Sequence, residues 1–186
     1  MSLLDVQNFL ARLYTDENLR LEFLAAPEKI GKDNNLNEKE VAELAQVLPA
    51  ELNFFADSLR WKRLREVEKL LPLTKKALAE DFEKYFREFA SQFTPETIKK
   101  HLEDAVRFAE FLQMKEIESN WIKDLAKYEQ AKLEFNACRK HFVFKQFDYD
   151  IKEISLQTTI PEKEFKQKKT FAVWLRFRKQ TRHYIW

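Results

Sequence analysis

Apolar positions recur at helical steps of three and four through most of the chain, then switch to a step of two near its end. Leu3, Val6, Leu10 and Leu13 form one stripe, and Ser2 with Asp5 reads as a relaxed capping box opening the helix beneath it. A second short helix is expected from about Glu17 to near Pro27, after which Gly31 through Asn35 reads as a loop. Asn37 caps a helix whose apolar face is Val41, Leu44 and Leu48, and Pro49 bends or restarts the chain. From about Ala50 to Leu71 the apolar positions are Leu52, Phe55, Leu59, Leu64, Val67 and Leu71, and Pro72 breaks that run.

A helix after Thr74 places Phe82, Phe86, Phe89 and Phe93 on one face. Thr94 and Pro95 read as the cap and first position of the next helix, lined by Ile98, Leu102, Ala105, Ala109 and Leu112. The last helix carries Trp121, Leu125, Tyr128, Ala131, Phe135 and Cys138. Beyond it, Phe171, Val173, Leu175 and Phe177 alternate with Ala172, Trp174, Arg176 and Arg178, the mark of a half-buried strand. Segments 142–148 and 149–156 are also rich in aromatic and β-branched residues. Phe142 and Phe144 share one parity and Phe147, Tyr149 and Ile151 the other, which predicts a bulge or turn between them. Tyr184, Ile185 and Trp186 suit a short closing strand, so two to four antiparallel strands are expected, with a charged loop over 161–169.

The fold class expected is therefore α+β: a mostly α-helical bundle followed by a small C-terminal antiparallel β-sheet. The division expected is a helical domain over 1–140, itself divisible into 1–72 and 73–140, and a basic sheet over 141–186. Composition agrees, since 17 Phe supply ring-on-ring core packing while one Gly and five Pro leave little room for a turn-rich all-β chain. No uncharged apolar run approaches the roughly 20 residues that span a bilayer, and the N-terminus lacks the features of a secretory signal. With Cys138 the single cysteine, a cytosolic address is the simplest expectation.

Net charge is only +2, but it is unevenly spread. From Arg139 onward 12 basic residues face 5 acidic ones, against 21 and 26 before it. Lys163, Lys166, Lys168, Lys169, Arg176, Arg178, Lys179 and Arg182 crowd the end with Glu164 opposing them. Arg176 and Arg178 share a strand face with Trp174, so Trp174, Arg176, Arg178, Lys179 and Arg182 are the candidate surface for an acidic peptide or a nucleic-acid backbone. Protection of an edge strand by positive charge is the competing explanation. Trp61 and Arg63, in a very basic run, and Trp186 at the chain end are candidate partner contacts.

Enzymatic chemistry finds little footing. His101, His141 and His183 are widely spaced and none begins a metal-ligand pair; Cys138 continues an apolar stripe, as a buried structural thiol does. One glycine builds no phosphate-cradling loop, and no pair of carboxylates is singled out by its spacing. No catalytic residue, cofactor or metal is expected.

The runs Leu78-Ala79-Glu80-Asp81-Phe82, then Asp104 through Leu112, then Trp121 through Ala131 carry a family likeness over roughly residues 70–135. Their most specific piece is Asp-Leu-Ala-x-Tyr-Glu-x-Ala, Asp124 to Ala131. They resemble a bacterial family labelled as DNA-binding domains, whose members are partner proteins of multinuclear non-haem iron-dependent oxidative enzymes; the methanobactin-biosynthesis partner subunit is similar in architecture. The resemblance implies a non-catalytic accessory chain that pairs with a TIM-barrel iron enzyme and helps to present a precursor peptide of modified-peptide biosynthesis, the iron belonging to the partner. The alternative is a nucleic-acid-binding protein using the basic C-terminal surface.

Overall fold

The computed structural model describes residues 3–47, 49–137, 140–156, 165–178 and 180–186. Its elements run α1 (Leu3–Thr15), α2 (Glu17–Ala25), α3 (Pro27–Asp33), α4 (Glu38–Ala45), α5 (Pro49–Leu70), α6 (Pro72–Leu78), α7 (Asp81–Gln92), α8 (Lys100–Met114), α9 (Asn120–Ala137), β1 (Phe142–Tyr149), α10 (Ile151–Leu156), β2 (Gln167–Phe177) and β3 (Gln180–Ile185). The fold is thus mostly helical with a three-stranded antiparallel sheet at the C-terminal end, in the order β1-β2-β3. Ser2, Leu48, Cys138, Lys163, Glu164 and Lys179, all singled out above, lie outside the described residues, as does most of the charged segment expected over 161–169. The chain divides into two compact units: 1–63 with 90–94, and 64–89 with 95–186.

In the first unit the stripes of α1, α2 and α4 close a core of Phe9, Leu13, Leu19, Phe23, Leu36, Val41 and Leu44. Phe9 and Phe23 meet edge-to-face at 5.4 Å. Asn37 caps α4 as expected, in a reciprocal capping box with Glu40. The stretch read as a loop is instead largely helix α3, and Gly31 is buried within it. The glycine serves close approach, not a turn: a Cβ built there would stand 2.3 Å from Val41 Cγ2. Arg20 is buried, its guanidinium donating to Asn53 Oδ1 at 2.9 Å and to the Leu13 carbonyl at 3.0 Å.

The second unit is built around rings. Phe108 receives Phe82, Phe86 and Phe89 at centroid distances of 5.2, 5.3 and 5.5 Å. The helix expected after Thr74 is two helices, parted at Ala79, which takes φ 48°. Ala is a strong helix former, so sequence alone gives no break there. Nor does a helix restart at Thr94 and Pro95; α8 begins only at Lys100, leaving Ile98 fully exposed. Glu103 reaches back from α8 to accept the N–H groups of Glu96 and Thr97 at 3.1 and 2.9 Å, satisfying the backbone of that segment. These same bonds, the Thr97 one foremost, hold the Glu103 carboxyl below its ordinary pKa.

The strand-like run over 149–156 is also corrected, being the short helix α10 with Ile151 and Ile154 buried. No bulge parts Phe144 from Phe147. Simple alternation puts them on opposite faces of β1, and the irregularity in register falls between Phe147 and Tyr149.

Candidate functional site

Helix α9 organises everything near the sheet. Its buried carboxylates act as backbone acceptors: Asp124 Oδ2 takes the N–H groups of Asp148 and Tyr149 at 2.6 and 3.0 Å, fixing the end of β1. Glu129 takes those of Leu73 and Thr74 at 3.0 and 2.8 Å, which caps α6 from a distance of more than fifty residues along the chain. Burial pushes both carboxyls above their ordinary pKa, against the pull of those N–H donors. Tyr128 packs between Phe147, Trp174 and His183. The Asp-Leu-Ala-x-Tyr-Glu-x-Ala run is therefore a junction at which α6, α9 and the sheet are joined.

The sheet lies on α9 with an unexpected face inward. Thr170, Ala172 and Trp174 are buried, Trp174 to 3% exposure, and stacked on His183 at 4.7 Å. Arg176 continues this inner face. Its guanidinium donates to the Phe135 carbonyl at 3.1 Å and stands 4.7 Å over the Phe135 ring, tying the last turn of α9 to β2. Among the expected binding residues, Trp174 and Arg176 thus belong to the packing between sheet and helix and are not presented outward. The parity argument put them on one face correctly but gave that face to solvent. What turns it inward is the surface α9 offers: the methyl of Ala172 permits close approach, and the rings of Tyr128 and Phe135 receive Trp174 and Arg176.

The apolar half of the strand consequently faces out. In register, Phe142 stands opposite Leu175, Phe144 opposite Val173, and Val173 opposite Tyr184. Phe144 stacks on Phe171 at 5.7 Å and Phe171 on Trp186 at 6.2 Å. Phe142, Phe144, Leu175, Phe177, Tyr184 and Trp186 account for six of the fourteen exposed large hydrophobic side chains among the described residues, so the exposure is concentrated on one surface. Phe177 and Trp186 are 76% and 61% exposed. Arg182 shares this face, opposite Leu175, and Arg178 stands at its corner with φ 56°, its guanidinium 5.6 Å over the Phe177 ring. Trp186 and Arg182 therefore lie together on the outer face with Arg178 beside them.

The two edges of the sheet differ. Bonds from Arg176 N to His141 O, and in both directions between Phe171 and Trp186, fix which backbone groups point where. On β1 the outward groups are those of the even residues. There Lys127 Nζ donates to Gln146 O at 2.8 Å and Asp124 accepts from Asp148, so α9 engages that edge at its 146–148 end. On β3 the outward N–H and C=O groups belong to Thr181, His183 and Ile185, and among the described residues no strand lies beyond them. The edge was not legible from residue types, since all three side chains are ordinary for a paired strand.

Trp61 and Arg63 sit elsewhere, on α5 in the first unit. Trp61 is 41% exposed, and Arg63 donates to the Phe93 carbonyl at 2.8 Å. Trp186 belongs to the second unit. A shallow groove of 560 Å³ on the second unit is lined by Lys99, Glu103, Arg107, Glu110, Glu134 and Lys140, among others. Most of its charges are engaged, Arg107 with Glu110 at 2.9 Å, Lys140 with Glu134 at 2.7 Å and Glu103 with backbone N–H groups. Among the described residues no three His, Cys, Asp or Glu side chains gather as metal ligands, and no helix is long and apolar enough to cross a membrane.

No curated protein matches the chain. One family model does: residues 41–114 are similar to the SCO6045-like, C-terminal domain, a stretch that runs from within α4 to the end of α8 and stops short of α9 and the sheet.

Proposed function

We propose that this chain works by binding rather than by catalysis, as an accessory protein whose sheet receives an extended peptide along the β3 edge. The observation that carries this reading is the asymmetry of the two edges. β1 is held at Gln146 and Asp148 by Lys127 and Asp124, whereas β3 leaves the backbone groups of Thr181, His183 and Ile185 turned outward. A peptide pairing there gains main-chain hydrogen bonds from the outward N–H and C=O groups of β3. The family resemblance supports the further reading that the chain serves a TIM-barrel, multinuclear non-haem iron enzyme and presents its precursor peptide. Similarity to the SCO6045-like domain neither adds to nor opposes that reading, because it ends before the sheet.

The test is affinity purification of the tagged chain from its native organism, with and without nuclease, comparing wild type with Thr181→Pro. This substitution removes an N–H that points away from β2, so the sheet's own ladder is kept. A nuclease-resistant, iron-containing protein partner, and a co-purifying peptide lost in Thr181→Pro, are expected. A peptide retained at wild-type level by the folded variant refutes edge pairing. Recovery of nucleic acid alone refutes the accessory role in favour of nucleic-acid binding.

A further inference from the structure

The outer face of the sheet is a second surface, distinct from the β3 edge. A sheet ordinarily buries both faces or turns a polar one to water. Here the inner face is taken by α9, and the outer one presents Phe142, Phe144, Leu175, Phe177, Tyr184 and Trp186, with Phe171 and Val173 between them. Aromatic side chains at this exposure show on the order of 100 Å² each, so the patch is roughly 600 Å². That is at the upper limit for a monomer's largest apolar patch and approaches the roughly 800 Å² that one partner contributes to a standard interface.

Charge on the same surface narrows the occupant. Arg182 lies on the face and Arg178 at its corner, both exposed, at the end where Leu175 and Phe177 stand. At the opposite end the exposed Lys169 and Asp148 carry one charge of each sign, and Asp148 is the one carboxylate on that parity of β1 among the described residues. The charge on the patch is therefore net positive, with both arginines at one end. Three strands spaced about 4.8 Å apart make a strip roughly 10 Å wide, matching the diameter of one α-helix. The stacking of Phe144, Phe171 and Trp186 on one another, with interplanar angles of 18° and 30°, joins these rings into a continuous apolar ridge across all three strands. Such a ridge suits the aliphatic stripe of a helix better than the separately available ring faces that bases need.

We infer that the outer face of the sheet docks an amphipathic helix of a partner protein, with its aliphatic stripe on Phe144, Phe171, Tyr184 and Trp186 and acidic residues of its flank on Arg178 and Arg182. The face and the edge then serve different segments, a helix on one and an extended peptide on the other. Neither requires the other to be correct.

The experiment uses the full chain and two synthetic 18-residue amphipathic helices with the same leucine stripe, one flanked by Glu and one by Lys, with binding read by calorimetry. The Glu-flanked helix should bind at least tenfold more tightly than the Lys-flanked one. Phe144→Asp should weaken it at least tenfold while leaving the circular dichroism spectrum unchanged. Arg178→Glu/Arg182→Glu should reverse the preference between the two helices, a result that general stickiness does not produce. Thr181→Pro, which disables the edge, should leave helix binding unchanged, so failure of the peptide reading is distinguishable from failure of this one. Binding of neither helix overturns the inference, as does equal binding of both. A dimer by light scattering that Phe144→Asp dissolves overturns it in favour of a second copy on the face. Tight binding of an oligothymidylate probe, lost in Phe144→Asp, overturns it in favour of single-stranded nucleic acid.

Discussion

Glu129 offers the sharpest test of the junction formed by α9. Its two carboxylate oxygens accept the N–H groups of Leu73 and Thr74, the second and third residues of α6, and α6 has no side-chain cap of its own. The group is 4% exposed, so water cannot replace either bond. Glu129→Gln keeps the shape but offers only one acceptor oxygen, leaving one buried N–H facing an amide NH2. The unsatisfied donor costs about 1–3 kcal/mol, and removal of a charge that burial disfavours returns part of that, so a loss near the lower end is expected at pH 7. Glu129→Ala strands both donors and opens a cavity, and should cost about 3–5 kcal/mol.

The pH dependence follows from the direction of the shift. Burial raises the carboxyl's pKa in the folded chain, so the native state binds its proton more tightly than the unfolded one. Its contribution to stability is therefore fully present below the unfolded value of about 4.3 and declines as pH rises through the raised native value. Wild type should gain stability relative to Glu129→Gln on acidification across that window, measured by urea unfolding at a series of pH values. A Glu129→Gln variant within about 0.5 kcal/mol of wild type at pH 7, or a gap that narrows on acidification, refutes the reasoning.

Three further outcomes are expected. Gly31→Ala should destabilise by about 1–2 kcal/mol, since overpacking against Val41 outweighs a gain of roughly 1 kcal/mol in helix propensity, and Val41→Ala introduced alongside it should remove the penalty from Gly31→Ala; thermal unfolding of the single and double variants decides this. Arg176→Ala should cost about 1–3 kcal/mol through loss of the Phe135 carbonyl bond and ring contact, whereas Arg182→Ala, on the outer face, should fall within about 0.5 kcal/mol of wild type. Equal effects would refute a packing role for Arg176 that Arg182 lacks. Arg178→Gly should stabilise the chain by up to about 1 kcal/mol, because a non-glycine residue is held at φ 56°, and chemical denaturation reads the difference.

Much of the helical part was legible because its signals are local. The stripe Trp121, Leu125, Tyr128, Ala131, Phe135 follows one face of α9, and Asn37 with Glu40 closes a capping box within a single turn. Errors arose where a distant group overrode the local signal. Gly31 looked like a turn residue until Val41 was seen packed against it, and the restart expected at Thr94 is displaced where Glu103 takes up the backbone of Glu96 and Thr97. The break at Ala79 has no local signal at all.

The sequence by itself determined the class of the fold, its order of helices before strands, and the sharing of one strand face by Trp174 and Arg176, because periodicity and caps are properties of neighbouring residues. It also located the excess of positive charge near the end of the chain. Which face of the sheet meets water was decided only by tertiary structure. Both faces carry large apolar groups, so alternation alone is symmetric, and the choice was made by a helix that offered Tyr128 and Phe135 to Trp174 and Arg176. The same helix engaged the β1 edge at Gln146 and Asp148 through Lys127 and Asp124 and left β3 open, and no pattern within a strand records what will pack beside it.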